Sequence, residues 1–252
     1  MTYTVGIDLA AESSKTGACV VEWDAGRATV TDVIVGSRAR PLENADLVEL
    51  LDAAPAAGID APFGWPVAFL RAVVAWSENA KWGVPWTPES RRELRLRETD
   101  RWIAGREHQR APLSVSADSI AVCALRAATV LSTLKPAGNI DRIHGPTYEV
   151  YPGAALREWQ FDTTKYKSDV DARRRLLGDI IDGDWLDLGS FGDELVRTDH
   201  ALDALVSAIV ARAAELGKVH PVPFDLVAAA RVEGWIHLPN VQPAELVTAT
   251  PD

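Results

Sequence analysis

The sequence contains only two cysteines, Cys19 and Cys123, among 252 residues. Their spacing fits neither a zinc site nor a disulfide framework, which indicates a reducing compartment. No apolar run reaches the roughly 18 residues that a membrane span requires. Asp8 and Glu12 interrupt the N-terminal stretch in which a signal peptide would need an apolar run. We therefore expect a cytoplasmic protein that has no contact with a membrane.

An excess of positive charge is also lacking, because 36 acidic residues outnumber 26 lysines and arginines and the net charge is −10. Proteins that coat long nucleic acids normally carry a positive surface. Any nucleic-acid partner must therefore be contacted locally. The hydrophobic fraction of 47% and the charged fraction of 25% are typical of a globular domain. Nothing in the sequence fixes the oligomeric state.

Three consecutive strands open the chain. We predict them over residues 3–9, 18–23 and 28–35, with a tight turn at Asp24-Ala25-Gly26 between the second and the third. An antiparallel meander at this place excludes the βαβ start of a dinucleotide-binding domain, and no G-x-G-x-x-G motif follows the first strand. A helix over residues 42–54 and a strand that ends at Asp60 come next. That strand should lie parallel to its neighbour in the sheet, because a crossover helix precedes it.

The rest of the chain predicts helices around the same sheet. Five of the nine tryptophans fall between residues 65 and 102, where they pack together or line a cleft. We expect one α/β domain over residues 1–252, with a mixed central sheet flanked by helices and a mostly helical insertion over residues 66–145. The later elements are a strand over residues 148–151 and helices over residues 116–134, 170–181 and 193–216.

Three aspartates stand at places that call for an explanation. Asp8 and Asp60 each end an apolar strand, and Asp203 lies in the middle of an apolar helix. If the two strands are parallel neighbours, their carboxyl ends lie side by side, which is where open α/β sheets place ligands. His200 and Asp199 share a helix face with Asp203, opposite a stripe of leucine, valine and isoleucine. Taken singly, each aspartate could also be a turn residue, a helix cap or the partner of an arginine.

Crowded carboxylates repel one another, and a hard divalent cation relieves that repulsion. Oxygen ligands with few cysteines or histidines favour Mg²⁺ or Mn²⁺ over zinc. Two such ions about 3.5–4 Å apart activate a water and stabilise the leaving oxygen of a phosphodiester. The pattern therefore predicts a metal site with Asp8, Asp60 and Asp203 as its catalytic ligands.

The order of the motifs resembles that of the DUF429 family. The main matches are Gly6-Ile7-Asp8, Gly58-Ile59-Asp60-Ala61-Pro62-Phe63-Gly64 and His200-Ala201-Leu202-Asp203-Ala204-Leu205. Further matches are Arg97-Glu98-Thr99-Asp100, Tyr148-Glu149-Val150-Tyr151-Pro152-Gly153, Tyr166-Lys167 and Glu233-Gly234-Trp235-Ile236. The resemblance implies a ribonuclease-H-like fold and the activity of a predicted nuclease, a hydrolase that depends on Mg²⁺ or Mn²⁺.

The late helix is also similar to the last catalytic helix of RuvC-type resolvases. That similarity implies that Asp203 is a metal ligand, with His200 as a possible further one, and that Asp8 is the central ligand; Asp199 joins this set as a neighbour on the helix. The sequence departs from the resolvase pattern at Asp60, where a glutamate is more usual.

Four further residues are candidates for contacts with substrate. Arg97 could hold a phosphate beside the metals, or it could form an ordinary ion pair on a helix with Asp100. Glu149 could be a fourth acidic ligand or could face solvent, and Lys167 has the same two interpretations. The tryptophans could stack bases or fill a core.

Two other functions remain open at this point. The first strand, followed by Ser13, Ser14 and Thr16, is similar to the first phosphate loop of actin-like sugar kinases, which suggests ATP-dependent phosphotransfer. Those kinases need two such domains and a second glycine-rich motif, and neither is evident in 252 residues. A non-catalytic regulatory protein that has kept the fold is the other alternative.

Overall fold

The protein is described by a computed structural model that covers residues 2–78, 82–135 and 140–248. Six strands form one mixed sheet in the order β5-β4-β1-β2-β3-β6. The strands are β1 (Thr2–Asp8), β2 (Gly17–Asp24), β3 (Arg27–Val35), β4 (Ala56–Asp60), β5 (Thr147–Glu149) and β6 (Leu186–Asp187).

Ten α-helices surround this sheet in the described part of the chain. They are α1 (Asn44–Ala53), α2 (Val67–Ser77), α3 (Pro88–Arg95), α4 (Glu98–Ala104), α5 (Ile120–Thr133), α6 (Pro152–Glu158), α7 (Val170–Ile180), α8 (Gly192–Arg197), α9 (Asp199–Glu215) and α10 (Val227–Glu233). Among the described residues, no helix is both long enough and apolar enough to cross a bilayer.

The predicted α/β architecture is confirmed. β1, β2 and β3 form the antiparallel meander, and β4 pairs with β1 in parallel after the crossover through α1. β5 and β6 then add parallel strands at the two edges. This mixed six-stranded sheet flanked by helices is consistent with a ribonuclease-H-like fold. The described residues of 66–145 contain α2 to α5, while the boundaries of a separate insertion stay a prediction.

The sheet separates two hydrophobic cores because alternate side chains of a strand point to opposite faces. Val5, Ile7 and Leu9 pack with residues of α1 and α5 on one face. On the other face, the apolar side chains of β2 and β3 pack against α6, α7, α8 and α9. α9 is therefore the central helix of the second face.

α9 differs from the expected amphipathic helix in two ways. Residues 201–213 are all buried, so the helix has no solvated polar face. The helix predicted over residues 193–216 is in fact α8 and α9, separated at Thr198, whose φ of −130° and ψ of 150° are extended. The Thr198 side chain accepts a hydrogen bond from the Ala201 amide at 3.2 Å and caps α9. The N-terminal turn of α9, which carries His200, is fixed by this cap.

α9 lies in backbone contact with the sheet because two strand positions carry no side chain. A Cβ atom at Gly6 of β1 would lie 1.9 Å from the Ala204 carbonyl oxygen, and one at Gly58 of β4 would lie 2.4 Å from the Ser207 carbonyl oxygen. The Thr4 hydroxyl adds a buried hydrogen bond to the Ala208 carbonyl at 2.8 Å. The middle of the helix is thereby held against the ends of β1 and β4.

Candidate metal centre

Asp8 and Asp60 are direct register partners. β1 and β4 run in parallel, and their pairing ends with Asp8 opposite Asp60 at the carboxyl ends of both strands. Ala61 and Pro62 follow at once and end β4, because proline cannot donate to the sheet. The sheet alone therefore places two carboxylates beside each other.

Asp203 completes the cluster from above the sheet. It lies on the first half of α9, between Leu202 and Ala204, and it is fully buried. One carboxylate oxygen from each of Asp8, Asp60 and Asp203 can be chosen so that all three lie within 4.8 Å of one another. This spacing is compatible with one cation held by all three carboxylates, since hard cations take oxygen ligands at about 2.0–2.6 Å.

Two side chains of one loop donate to Asp203. The Tyr166 hydroxyl lies 3.0 Å from Oδ1, and the Lys167 ammonium lies 2.7 Å from Oδ2. Lys167 is half-exposed, whereas Tyr166 is buried. The protein itself therefore orients the Asp203 carboxylate, with Oδ1 toward the Tyr166 hydroxyl and Oδ2 toward the Lys167 ammonium.

Asp8 is held by His200. The Nδ1 atom of His200 lies 2.5 Å from Oδ2 of Asp8, and this hydrogen bond raises the pKa of the imidazole. Nδ1 of His200 therefore contacts the Asp8 carboxylate instead of being free to bind a metal ion. Asp199 lies one residue earlier, half-buried in the first turn of α9, and does not belong to the cluster of three.

Asp60 is the carboxylate that the described residues leave without a hydrogen-bond donor, and this is the best sign that the cluster fits a cation. Burial raises the pKa of Asp60 well above its ordinary value, and the charge of Asp8 adds to that shift. Burial also raises the pKa of Asp203 to about 6, although Lys167 opposes the shift. A divalent ion would relieve this cost, since oxygen-only ligands suit Mg²⁺ or Mn²⁺.

Arg97, Asp100 and Glu149 form a second buried cluster rather than free contacts for a substrate. Arg97 donates through Nε and Nη2 to Asp100, at 3.2 and 2.9 Å. It also reaches both oxygens of Glu149, at 2.7 and 2.9 Å, and the Glu233 carbonyl at 3.1 Å. Each of the three guanidinium nitrogens therefore has an oxygen partner within the protein.

This saturation changes the interpretation of three predicted contacts. Arg97 is 2% exposed and has no donor left for a phosphate, so a direct phosphate contact is not supported. Glu149 is neutralised by Arg97 and accepts from the Phe63 amide at 2.9 Å, and it is not part of the acidic cluster. Asp100 is fully buried against Arg97. These residues shape the wall of the site, whereas Lys167 lies at the acidic cluster itself.

A cavity of about 340 Å³ joins the two clusters. Asp60 and Lys167 line one part of it, and Arg97 and Glu149 line another. Apolar side chains complete the lining, including Pro62, Pro112, Leu113, Ile120 and Ile236. The acidic cluster is thus reached from a cleft large enough for a small part of a substrate.

We expect Arg97→Met to destabilise the protein by about 3–5 kcal/mol, because it leaves two buried carboxylates without their partner. Arg101→Met is the matched control, since the Arg101–Glu98 pair of the same helix is partly exposed and should contribute about 1 kcal/mol or less. Chemical denaturation of both variants measures the difference. Equally small decreases in the free energy of unfolding for the two variants would show that the buried cluster does not hold α4 against β5.

Tyr166 is the contact that sequence reasoning missed. The only sequence signal for Tyr166 is its place beside Lys167 in a matched motif. The loop has no periodic pattern that would predict a contact of its hydroxyl with Asp203, 37 residues away.

The comparisons with known proteins give one match. The model of the family described as "Protein of unknown function (DUF429)" matches residues 6–226, which include all three aspartates. No curated protein and no solved structure matches the chain.

Proposed function

The chain belongs to the DUF429 family, and from this premise we propose that it is a divalent-metal-dependent nuclease of the ribonuclease-H-like superfamily. The observation that carries the proposal is the meeting of Asp8, Asp60 and Asp203 at the carboxyl ends of two parallel strands and on the central helix. Three crowded carboxylates, one buried and two partly buried, are costly without a cation. Metal-assisted phosphodiester hydrolysis is the chemistry that such a set of oxygen ligands serves.

The three aspartates are the residues that would hold the ion. A Mg²⁺ or Mn²⁺ ion held there would supply Lewis-acid activation of water and of a phosphoryl oxygen. The protein fixes the ligands beforehand, because Asp8 and Asp60 are in sheet register and Asp203 is held by Tyr166 and Lys167. Preformed ligands reduce the reorganisation needed when a substrate arrives.

Two further side chains, Lys167 and His200, lie where they can take part in the reaction. Lys167 is half-exposed, lines the cavity and carries a positive charge beside Asp203, where it can attract a phosphate group of the substrate. His200 is hydrogen-bonded to Asp8 and is partly exposed, so it can hold a proton near the acidic cluster. Neither role requires a change in the fold.

A cleavage assay tests the proposal. Labelled single-stranded, hairpin and duplex DNA and RNA are incubated with Mn²⁺ or Mg²⁺, and we expect cleavage that EDTA abolishes. Asp8→Asn should reduce the activity to background, while Asp32→Asn, an exposed aspartate of β3, should leave it unchanged. Metal binding without cleavage of any of these would favour a non-catalytic protein, and stabilisation by ATP would favour phosphotransfer.

We expect Mn²⁺ to stabilise the protein more strongly as the pH rises. The raised pKa values of Asp60 and Asp203 mean that both carboxyls hold protons to a higher pH than usual, and a cation must displace those protons. The increase in melting temperature caused by Mn²⁺ should therefore be small at about pH 5 and reach about 5–10 °C at about pH 8 with a hundredfold excess over Kd.

Thermal shifts measured across this pH range, with Asp60→Asn as the control, check this expectation. An increase that is largest at acidic pH, or that persists in the control, would show that Mn²⁺ binds elsewhere.

A further inference from the structure

Three of the five tryptophans between residues 65 and 102 are exposed on the surface. The exposed fractions are 61% for Trp76 at the end of α2, 41% for Trp82 and 74% for Trp86 just before α3. Trp76 and Trp82 contact each other edge to face, with ring centroids 6.4 Å apart. Large exposed aromatic groups cost free energy in water, so a set of them marks a place where a partner binds.

Three arginines lie on α3, which packs against α2, and one of them lies over the Trp86 ring. Arg91, Arg92 and Arg95 line a pocket of about 290 Å³ together with Pro88 and Leu96. The Arg91 guanidinium lies over the Trp86 ring, 5.7 Å from its centroid. Within residues 2–78, 82–135 and 140–248, none of the three arginines is in a salt bridge with a carboxylate. Their charges therefore remain available to an anion.

α3 presents these arginines on a fixed support. Thr87 and Ser90 form a reciprocal cap at its beginning, and Leu94 is buried beneath it. At its end, the Ser116 hydroxyl donates to the Leu94 carbonyl at 2.6 Å and the Ser114 hydroxyl donates to the Arg95 carbonyl at 2.7 Å. A short helix held at both ends keeps its side chains in a constant arrangement, which reduces the entropy lost on binding.

Consecutive residues of the chain line the basic pocket and the cavity of the acidic cluster. Leu96 lines the basic pocket, and Arg97, the next residue, lines the cavity that contains Asp60. Neighbouring Cα atoms are about 3.8 Å apart, so the end of α3 and the wall of the acidic cavity are joined directly by the backbone.

We propose that the surface formed by Trp76, Trp82, Trp86, Arg91, Arg92 and Arg95 binds a single-stranded nucleic acid. The arginines contact its phosphates, and the indoles stack with its unpaired bases. Basic side chains interleaved with exposed aromatic rings are the arrangement that single strands require, because bases in a duplex have no free face. The net charge of −10 disfavours extensive contact with a nucleic acid, so the binding should be local. The cleavage of the bound strand, but not the binding, rests on the function proposed above.

Binding is measured with the full chain by fluorescence anisotropy of a labelled oligothymidylate in EDTA, so that neither metal nor cleavage contributes. Trp86→Ala should weaken binding about tenfold, the loss expected for one stacked base. Arg92→Ala combined with Arg95→Ala should lower the slope of log Kd against log salt by about 1.4, since each phosphate contact on a single strand contributes about 0.7.

Arg175→Ala, an exposed arginine of α7, is the matched control and should leave both the affinity and the slope unchanged. A duplex of matched length should bind more weakly than the single strand. Absence of binding by the wild type, equal binding of the duplex, or an equal effect of the Arg175 control would overturn the proposal. A change of oligomeric state in Trp86→Ala with unchanged anisotropy would also overturn it, in favour of a protein partner. Binding of the strand without its cleavage would refute the proposed nuclease activity and would leave the binding surface supported.

Discussion

Asp60→Asn is expected to make the metal-free protein more stable and to remove most of its affinity for Mn²⁺. The Asp60 carboxylate lies close to Asp8 and Asp203, and burial together with the charge of Asp8 raises its pKa. Asparagine keeps the shape of the side chain and removes the charge, so the repulsion between the carboxylates decreases. Relief of such strain at functional sites commonly yields about 0.5–2 kcal/mol, or a melting temperature higher by a few degrees.

The same substitution should weaken Mn²⁺ binding at least about 100-fold. Loss of a residue that only supports a metal ligand costs 10–100-fold in affinity, and a ligand itself should cost more. Isothermal titration calorimetry and thermal denaturation without metal measure the two effects on one preparation. Asp32→Asn controls for the change of net charge. A less stable metal-free variant would show that Asp60 is not crowded, and undiminished Mn²⁺ affinity would show that it is not a ligand.

Gly6→Ala is expected to be among the most destabilising single changes in the protein. The new Cβ atom would lie 1.9 Å from the Ala204 carbonyl oxygen and 2.3 Å from the Ala208 amide nitrogen, both of which are backbone atoms of α9. No side-chain rotation can relieve this contact, so the helix must move away from β1. Forcing extra volume into a packed core costs about 1–3 kcal/mol when side chains can adjust, and we expect the upper end or more here.

Gly178→Ala is the control for this effect. Gly178 lies within α7, and a Cβ atom there would meet nothing within 4 Å. Alanine should therefore stabilise the helix by about 0.4–1 kcal/mol. Urea denaturation of both variants gives the comparison, and Gly6→Ala should also weaken Mn²⁺ binding because α9 carries Asp203. A Gly6→Ala protein as stable as the wild type would contradict the close packing of α9 on β1.

The sequence predicted the part of the site that follows from strand order. A crossover helix requires β4 to run parallel to β1, and two strands that both end in aspartate then bring Asp8 and Asp60 together. Asp203 stood out as a carboxylate in the middle of an apolar helix, and the resemblance of that helix pointed to the same residue. These three positions could be found because each depends on regular structure or on a motif.

Other features depend on contacts that no local pattern reveals. The break at Thr198 interrupts an otherwise continuous helical sequence, because one residue in an extended conformation is enough to separate α8 from α9. Arg97 could not be assigned to a buried cluster, since its partner Glu149 is 52 residues away and comes from the sheet edge. β6 has only two residues and offers too short a run for a strand pattern.

The anomalous diffraction of a crystal soaked in Mn²⁺ tests the central claim most directly. We predict one strong peak enclosed by the carboxylates at the ends of β1 and β4 and on α9, and no such peak in Asp60→Asn. A crystal whose only peaks lie elsewhere, with Asp203 still bound by Tyr166 and Lys167 and Asp60 facing water alone, would contradict the metal centre and the nuclease that depends on it.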